Sequence, residues 1–232
     1  MRLIDLSLSA SDEDRGAFLS ELCESLEIDH ACYALQDPFS GNVHGYATYP
    51  EEWKQLYGQR AYQHVDPTFT KAVRSVAPVD WSRFTSDSGF DTVFSAARDF
   101  GISSQGLSVP VRGPFGDIGL LTVTRDCGER EWQGLRRKII GGLQSAAVNF
   151  HDSVMRSNTI AGLMRVPPLS SRECEILQWI AAGKSQQDVG DILSISPRTV
   201  EVHLRSAREK LGALTTPQAV GRAVRLALIS PG

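Results

Sequence analysis

Tyr49, Trp53 and Tyr57 stand four residues apart, Asp66 follows nine residues later, and Trp81 fifteen after that. If a helix begins at Pro50, the three aromatics share one face, because side chains at i and i+4 are neighbours on a helix. That face and Asp66 bring indole and phenol donors together with a carboxylate acceptor, the groups needed to pair with carbonyls and amides of a small molecule. A plainer reading fits the same residues: the aromatics are core, and Asp66 caps the helix that starts at Pro67. On these residues alone both readings stand.

A second set lies between Leu169 and Ile229, where the pattern predicts four short amphipathic helices. Ser170-x-x-Glu173 and Ser185-x-x-Asp188 are capping boxes, in which the hydroxyl accepts from the third amide and the carboxylate reaches back. Ala182-Gly183 supplies a left-handed stop to the first helix, and Ser196-Pro197 opens the third. In that third helix Val200, Leu204, Ala207 and Leu211 are spaced for burial, which leaves Arg198, Glu201, Val202, Arg205 and Arg208 outward. This is the layout of a recognition helix in a helix-turn-helix.

Charge agrees with that assignment. The chain of 232 residues has a net charge of -3, yet from Ser194 to the end six Lys or Arg face two acids. A basic end on an acidic chain is where phosphate contacts belong. At 41% apolar residues the chain suits two cored domains. The four cysteines (23, 32, 127 and 174) have no CxxC spacing or histidine grouping, so buried reduced thiols are expected and no metal or cofactor. No apolar run approaches the ~20 residues of a membrane span, and the N-terminus lacks the basic-then-apolar pattern of a signal peptide; the expected location is the cytoplasm.

The elements that must position these residues can be read in outline. A helix over Ser11–Leu26 precedes strands at His30–Leu35 and Val43–Tyr49, joined around Pro38–Asn42. Helices are predicted from Pro50 to about Gly58, from Asp66-Pro67 to about Val76, and over Phe90–Phe100, with a strand near Pro78–Trp81. Strands Gly106–Arg112 and Ile118–Arg125 form a hairpin, with Leu120, Thr122 and Thr124 on one face. Glu131 to about Met155 carries one apolar stripe (Trp132, Leu135, Ile139, Leu143, Ala146, Phe150, Val154) that packs on a sheet or on a twin helix. A last helix over Pro217–Leu228 shows Ala219, Val220, Ala223 and Ala227 on one side, suited to a twin helix or to its own core. The fold class is α+β: an N-terminal α/β/α sandwich with a central antiparallel sheet, and a C-terminal all-α four-helix helix-turn-helix domain. The expected boundaries are 1–156, a linker over 157–168 ending in Pro167-Pro168, and 169–232.

Leu169-Ser-Ser-Arg-Glu-Cys-Glu-Ile-Leu, Ala182-Gly-Lys-Ser, Ile195-Ser-Pro-Arg-Thr-Val-Glu-Val-His-Leu and Lys210-Leu211 resemble the DNA-binding domain of LuxR-type regulators over about a quarter of the chain. By itself that stretch also fits NarL-type response regulators. The set Tyr-x-x-x-Trp-x-x-x-Tyr, Asp-Pro and Trp, with Gly106-Leu-Ser-Val-Pro110, resembles the autoinducer-binding domain of the LuxR type in order and spacing. The resemblance implies a quorum-sensing transcription factor that encloses an N-acyl-homoserine lactone between sheet and helices. Trp53 would donate to the lactone carbonyl, Asp66 accept from the amide, Tyr49 donate to the acyl carbonyl, Tyr57 wall the acyl chain and Trp81 pack on the lactone ring. Ser108 and Thr122 would complete the site. The connection Gly101–Gly106 is one residue longer than in several members, so the acyl class is left open.

For DNA the resemblance implies base-edge contacts from Glu201, Val202 and Arg205, and phosphate contacts from Lys184, Thr199 and Lys210. It further implies a homodimer on a palindromic operator, for which the Glu131–Met155 stripe is the expected pairing surface, with RNA polymerase as a further partner. Alternatives are a regulator of the same type that folds without ligand or answers another small molecule, a phosphorylation-controlled response regulator, and a lactone-processing enzyme. The second lacks the acid-and-lysine strand pattern of a receiver domain. The last lacks clustered histidines, since the five (30, 44, 64, 151, 203) are scattered.

Overall fold

The computed structural model describes residues 12–36, 43–113, 116–156 and 169–230. These residues form two compact bodies. The linker expected over 157–168 and the turn around Pro38–Asn42 lie outside the described residues.

The first body is built on a five-stranded antiparallel sheet of order β2-β1-β5-β4-β3, with β1 His30–Gln36, β2 Val43–Ala47, β3 Val79–Asp80, β4 Gly106–Arg112 and β5 Ile118–Thr124. Period-2 alternation gives the sheet two different faces. Ala31, Tyr33 and Leu35 of β1, Leu121 and Val123 of β5 and Leu107 and Val109 of β4 are buried. They share the face on which α1 (Asp12–Leu26) and α5 (Glu129–Arg156) pack. The apolar stripe of α5 is consumed there: Trp132, Ile139, Leu143, Ala146, Phe150 and Val154 are buried, and the Phe150 ring lies 5.1 Å from Phe18 and 4.7 Å from Tyr33. Of the two placements open from sequence, the sheet takes this stripe. The expectation that chains pair through it is therefore corrected, because its large side chains already gain roughly 1.5–3 kcal/mol each inside their own domain.

The other face, with Cys32, Ala34, Leu120 and Thr122, is covered by α2 (Glu51–Gln59), α3 (Pro67–Thr70) and α4 (Ser88–Ala97). The helix expected from Pro67 to Val76 is shorter. It ends at Thr70 and continues as a single 3-10 turn over Ala72–Arg74. The Arg112 guanidinium donates to the carbonyls of Val73 (3.1 Å) and Ser75 (3.3 Å), so those acceptors are satisfied without further helix. β3 is likewise shorter than expected, and Trp81 opens a 3-10 turn capped by Asp80.

The second body contains α6 (Ser171–Ala181), α7 (Gln186–Leu193), α8 (Pro197–Lys210) and α9 (Thr216–Arg225). Both capping boxes form: Ser170 with Glu173, and Ser185 with Asp188. Gly183 has φ +82°, the left-handed stop that the sequence placed there. Ser196 caps α8, with Pro197 at its first position. Ile176, Leu177, Val189, Val200, Leu204, Ala207, Ala219 and Ala223 are fully buried in one core. The small residues Ala219 and Ala223 of α9 thus go to core packing, while Ala227 lies beyond the helix with φ 52°. Among the cysteines only Cys23 is buried, and Cys32, Cys127 and Cys174 are half-buried free thiols.

Candidate ligand cavity and nucleic-acid face

Between the sheet and α2 to α4 lies a cavity of about 570 Å³. Tyr49, Trp53, Tyr57, Asp66, Trp81 and Thr122 all line it. Pro50 is the N-cap of α2, whose first turn carries two acids, which suits the positive end of the helix dipole. Its buried face points Trp53 and Tyr57 at the cavity, and their rings meet edge-on at 5.8 Å. The Trp53 indole N–H has no hydrogen-bond partner among the described residues.

Asp66 caps α3 and also lines the cavity. Its Oδ1 accepts from the Thr68 amide (2.8 Å) and hydroxyl (2.7 Å), which caps α3, and its Oδ2 accepts from the Tyr57 hydroxyl at 3.0 Å. Burial pushes its carboxyl above the usual range, and the bonds from Thr68 and Tyr57 offset part of that shift. A carboxylate oxygen can accept more than one bond, so Oδ2 retains acceptor capacity in a residue that lines the cavity. Burial also pushes the Tyr49 and Tyr57 phenols well up, so both remain donors at neutral pH. Tyr57 thus both lines the cavity and holds the Asp66 carboxylate in place.

Ser108 is not part of the cavity wall. It is fully buried behind Trp81, whose Nε1–H donates to its hydroxyl at 2.9 Å. The Ser108 hydroxyl also lies 3.1 Å from that of Thr122 and donates to the Thr68 carbonyl at 3.3 Å. Its place is to hold the indole, whose ring then faces the cavity. Gly106 serves the same ring, since a Cβ there would stand 2.6 Å from the Trp81 six-membered ring. On the other side of β3, Asp80 accepts from Ser82 N–H (2.9 Å), Arg136 (2.6 Å) and Trp132 Nε1–H (3.3 Å). Burial would raise its carboxyl, but the bonds from Ser82 and Arg136 outweigh it and hold it below the usual range. The turn that carries Trp81 is thus anchored to α5.

Sequence reading missed Cys32, Tyr46, Lys54, Gln63, Thr68 and Phe94 of the cavity wall. Period-2 alternation of β1 was the available signal for Cys32, once the cavity face was known. Its thiol is pushed up to about 12 by burial, aided by Asp66, and is inert at neutral pH.

On the second body the outward residues of α8 and its neighbours form a separate polar face. Val202 is 60% exposed, and Arg205 and Lys184 are exposed. Thr199 sits in the first turn, its amide donating to Ser196 Oγ at 3.1 Å. Glu201 accepts from Arg208 (2.7 Å) and Gln186 (2.8 Å). Lys210, expected at phosphate, donates to Glu173 Oε2 at 2.8 Å. Glu173 is only 4% exposed and also accepts from Ser206 at 2.7 Å and from the Ser170 amide at 2.6 Å. Burial alone would raise its carboxyl, but these bonds win and bring it down to about 2. Lys210, the last residue of α8, is therefore a structural cation as well as a basic group on that helix.

A cavity enclosed by sheet and helices in one body and a capped helix-turn-helix in the other define a ligand-responsive regulator. The comparisons agree. The autoinducer binding domain family matches residues 11–154, and the bacterial regulatory proteins, luxR family, match residues 167–223. The HTH-type quorum-sensing regulator RhlR of Pseudomonas aeruginosa is 34% identical over 227 residues, which cover 92% of this chain and 88% of that protein. The HTH-type transcriptional regulator y4qH of Sinorhizobium fredii is 33% identical over 185 residues, 78% of this chain; the chain spans 55% of that protein's length. The crystal structure of Escherichia coli SdiA matches with a TM-score of 0.81 at 26% identity, covering 97% of this chain and 95% of that one. The chain belongs to the LuxR-type family of autoinducer-binding, quorum-sensing transcriptional regulators, which is not a family of enzymes. No described helix is long and apolar enough to cross a membrane.

Proposed function

We propose that residues 1–156 bind an N-acyl-homoserine lactone, and that residues 169–232, joined by a linker over 157–168, bind a palindromic operator as part of a cytoplasmic homodimer. The observation that carries the ligand class is the cavity wall itself. Its lining combines donors and an acceptor (Tyr49, Trp53, Asp66, Thr122) with aromatic and aliphatic side chains (Phe69, Val93, Phe94, Ile102, Leu120). An acyl-lactone has the matching polarity: two carbonyls and an amide at one end, a hydrocarbon tail at the other. In this reading Trp53 donates to the lactone carbonyl, Asp66 accepts the amide N–H, and Tyr49 donates to the acyl carbonyl. Trp81 stacks on the ring and Thr122 faces the acyl carbonyl. Burial of the tail at roughly 25 cal/mol per Å² adds to the stability of the folded state only.

At DNA, Arg205 would bridge guanine O6 and N7, Val202 meet a thymine methyl, and Glu201 accept from cytosine N4. Lys184, Thr199 and Lys210 would contact phosphates, and RNA polymerase would be the partner at the promoter. Dimer pairing then falls to surfaces other than the buried α5 stripe. Mass spectrometry of protein expressed with and without a panel of acyl-lactones tests the ligand class. The expected result is one lactone retained per chain. Retention of none, with the chain equally soluble without ligand, would refute it.

A further inference from the structure

We infer that Arg208 and Gln186 are positioning residues for base readout by Glu201, and that the carboxylate they clamp demands a base bearing an exocyclic amine, cytosine or adenine, where α8 meets the operator. This rests on the reading of α8 as the recognition helix. The Glu201 carboxylate stands where three helices come together. Arg208 Nη2 donates to its Oε1 at 2.7 Å, and Gln186 Nε2, from α7, donates to its Oε2 at 2.8 Å. Arg208 is itself pinned, since its Nη1 donates to Thr216 Oγ1 of α9 at 2.9 Å. The carboxyl is held below its usual range first by the Arg208 bond, with burial opposing and Gln186 assisting.

Three consequences follow for recognition. Each carboxylate oxygen keeps one lone pair after its internal bond, so Glu201 presents acceptors only, in one orientation. Adenine N6 and cytosine N4 are the major-groove donors, whereas guanine O6 and thymine O4 are acceptors and would be repelled. Arg208 also offsets the repulsion between a glutamate and the DNA phosphates, which would otherwise count against every sequence.

The test is selection from a randomised operator library by the full chain purified with a retained N-acyl-homoserine lactone, comparing wild type, Glu201→Gln, Gln186→Ala, Arg208→Met and the double variant Arg208→Met with Glu201→Gln. Wild type should select cytosine or adenine at one class of operator position, and Glu201→Gln should relax that position alone. Gln186→Ala, which changes no charge, should relax the same position by about tenfold with the salt slope unchanged. Arg208→Met should relax it and also weaken all sequences, and adding Glu201→Gln should restore the general affinity. Equal loss of affinity for Arg208→Met in both backgrounds, with base preference intact in Arg208→Met and Gln186→Ala, would overturn the clamp and make Arg208 a plain phosphate contact. A wild type that selects no sequence, or a Glu201→Gln chain with unchanged preference, would instead overturn the recognition-helix reading, and the clamp with it.

Discussion

In the first body polar side chains converge on an interior, with Asp66, Tyr57, Trp53 and Thr122 set around a cavity of about 570 Å³. In the second they sit at helix ends and on the outer face of α8, over a core in which Ile176, Leu177, Val200 and Leu204 are fully buried. The contrast separates two ways of using the same chemistry. A carboxylate that caps a helix and is answered by a lysine, as Glu173 is by Lys210, closes a domain on itself. A carboxylate that caps a helix and still faces a cavity, as Asp66 does, has acceptor capacity left for another molecule. The first body is therefore the one whose stability should answer to ligand, and the second should fold unaided.

The largest expected effect lies in the self-contained body. Glu173 is held at about 2 against an ordinary value of 4.5. Because its folded value is depressed, its contribution of about 3 kcal/mol is fully present above pH 5 and is lost as pH falls toward 2. Lys210→Met should destabilise residues 169–232 by about 2–3 kcal/mol and shrink that acid dependence. Urea unfolding of the fragment across pH checks both, and a flat profile for wild type would break the contrast from this side.

Next comes Gly106→Val, whose Cβ would meet the Trp81 ring. It should cost about 2 kcal/mol in the first body and lower lactone affinity, with the second body's unfolding unchanged, as read by calorimetry. Asp66→Asn and Trp53→Phe should each cost about 1–3 kcal/mol of ligand binding, roughly 5- to 150-fold in dose response. Unchanged dose-response curves for both would remove the proposed site. Arg205→Ala should leave the stability of both bodies alone and relax preference at one pair of operator positions by about 1–3 kcal/mol in each half-site. Quantitative binding to single-base operator variants measures it.

Local signals in the sequence carried far. Ser170 with Glu173, Ser185 with Asp188, Gly183 and Pro197 mark helix ends by chemistry that acts within four residues, and the helices of the second body begin and end close to them. Strands β4 and β5 were legible from alternation between turn residues. What escaped were interactions across the fold. The early end of α3 depends on Arg112, 39 residues away from Val73. The role of Ser108 behind the wall depends on Trp81, 27 residues off. The α5 stripe shows that periodicity reveals an apolar face without naming what covers it. Likewise Cys32 and Tyr46 belong to the cavity only once the inward face of each strand is known, and Gln186 meets Glu201 only once the helix-turn-helix is folded.

The central claim, that ligand completes one body and leaves the other untouched, is tested most directly by hydrogen exchange of the full chain, with and without an acyl-homoserine lactone that it retains. Amides of residues 51–59, 66–70, 106–112 and 118–124 should gain protection in proportion to ligand binding, since binding shifts opening equilibria by RT ln(1 + [L]/Kd), about 2.7 kcal/mol at 100 times Kd. Amides of residues 171–225 should exchange at the same rate in both states. Protection spread evenly over both bodies, or absent around the cavity, would contradict the account.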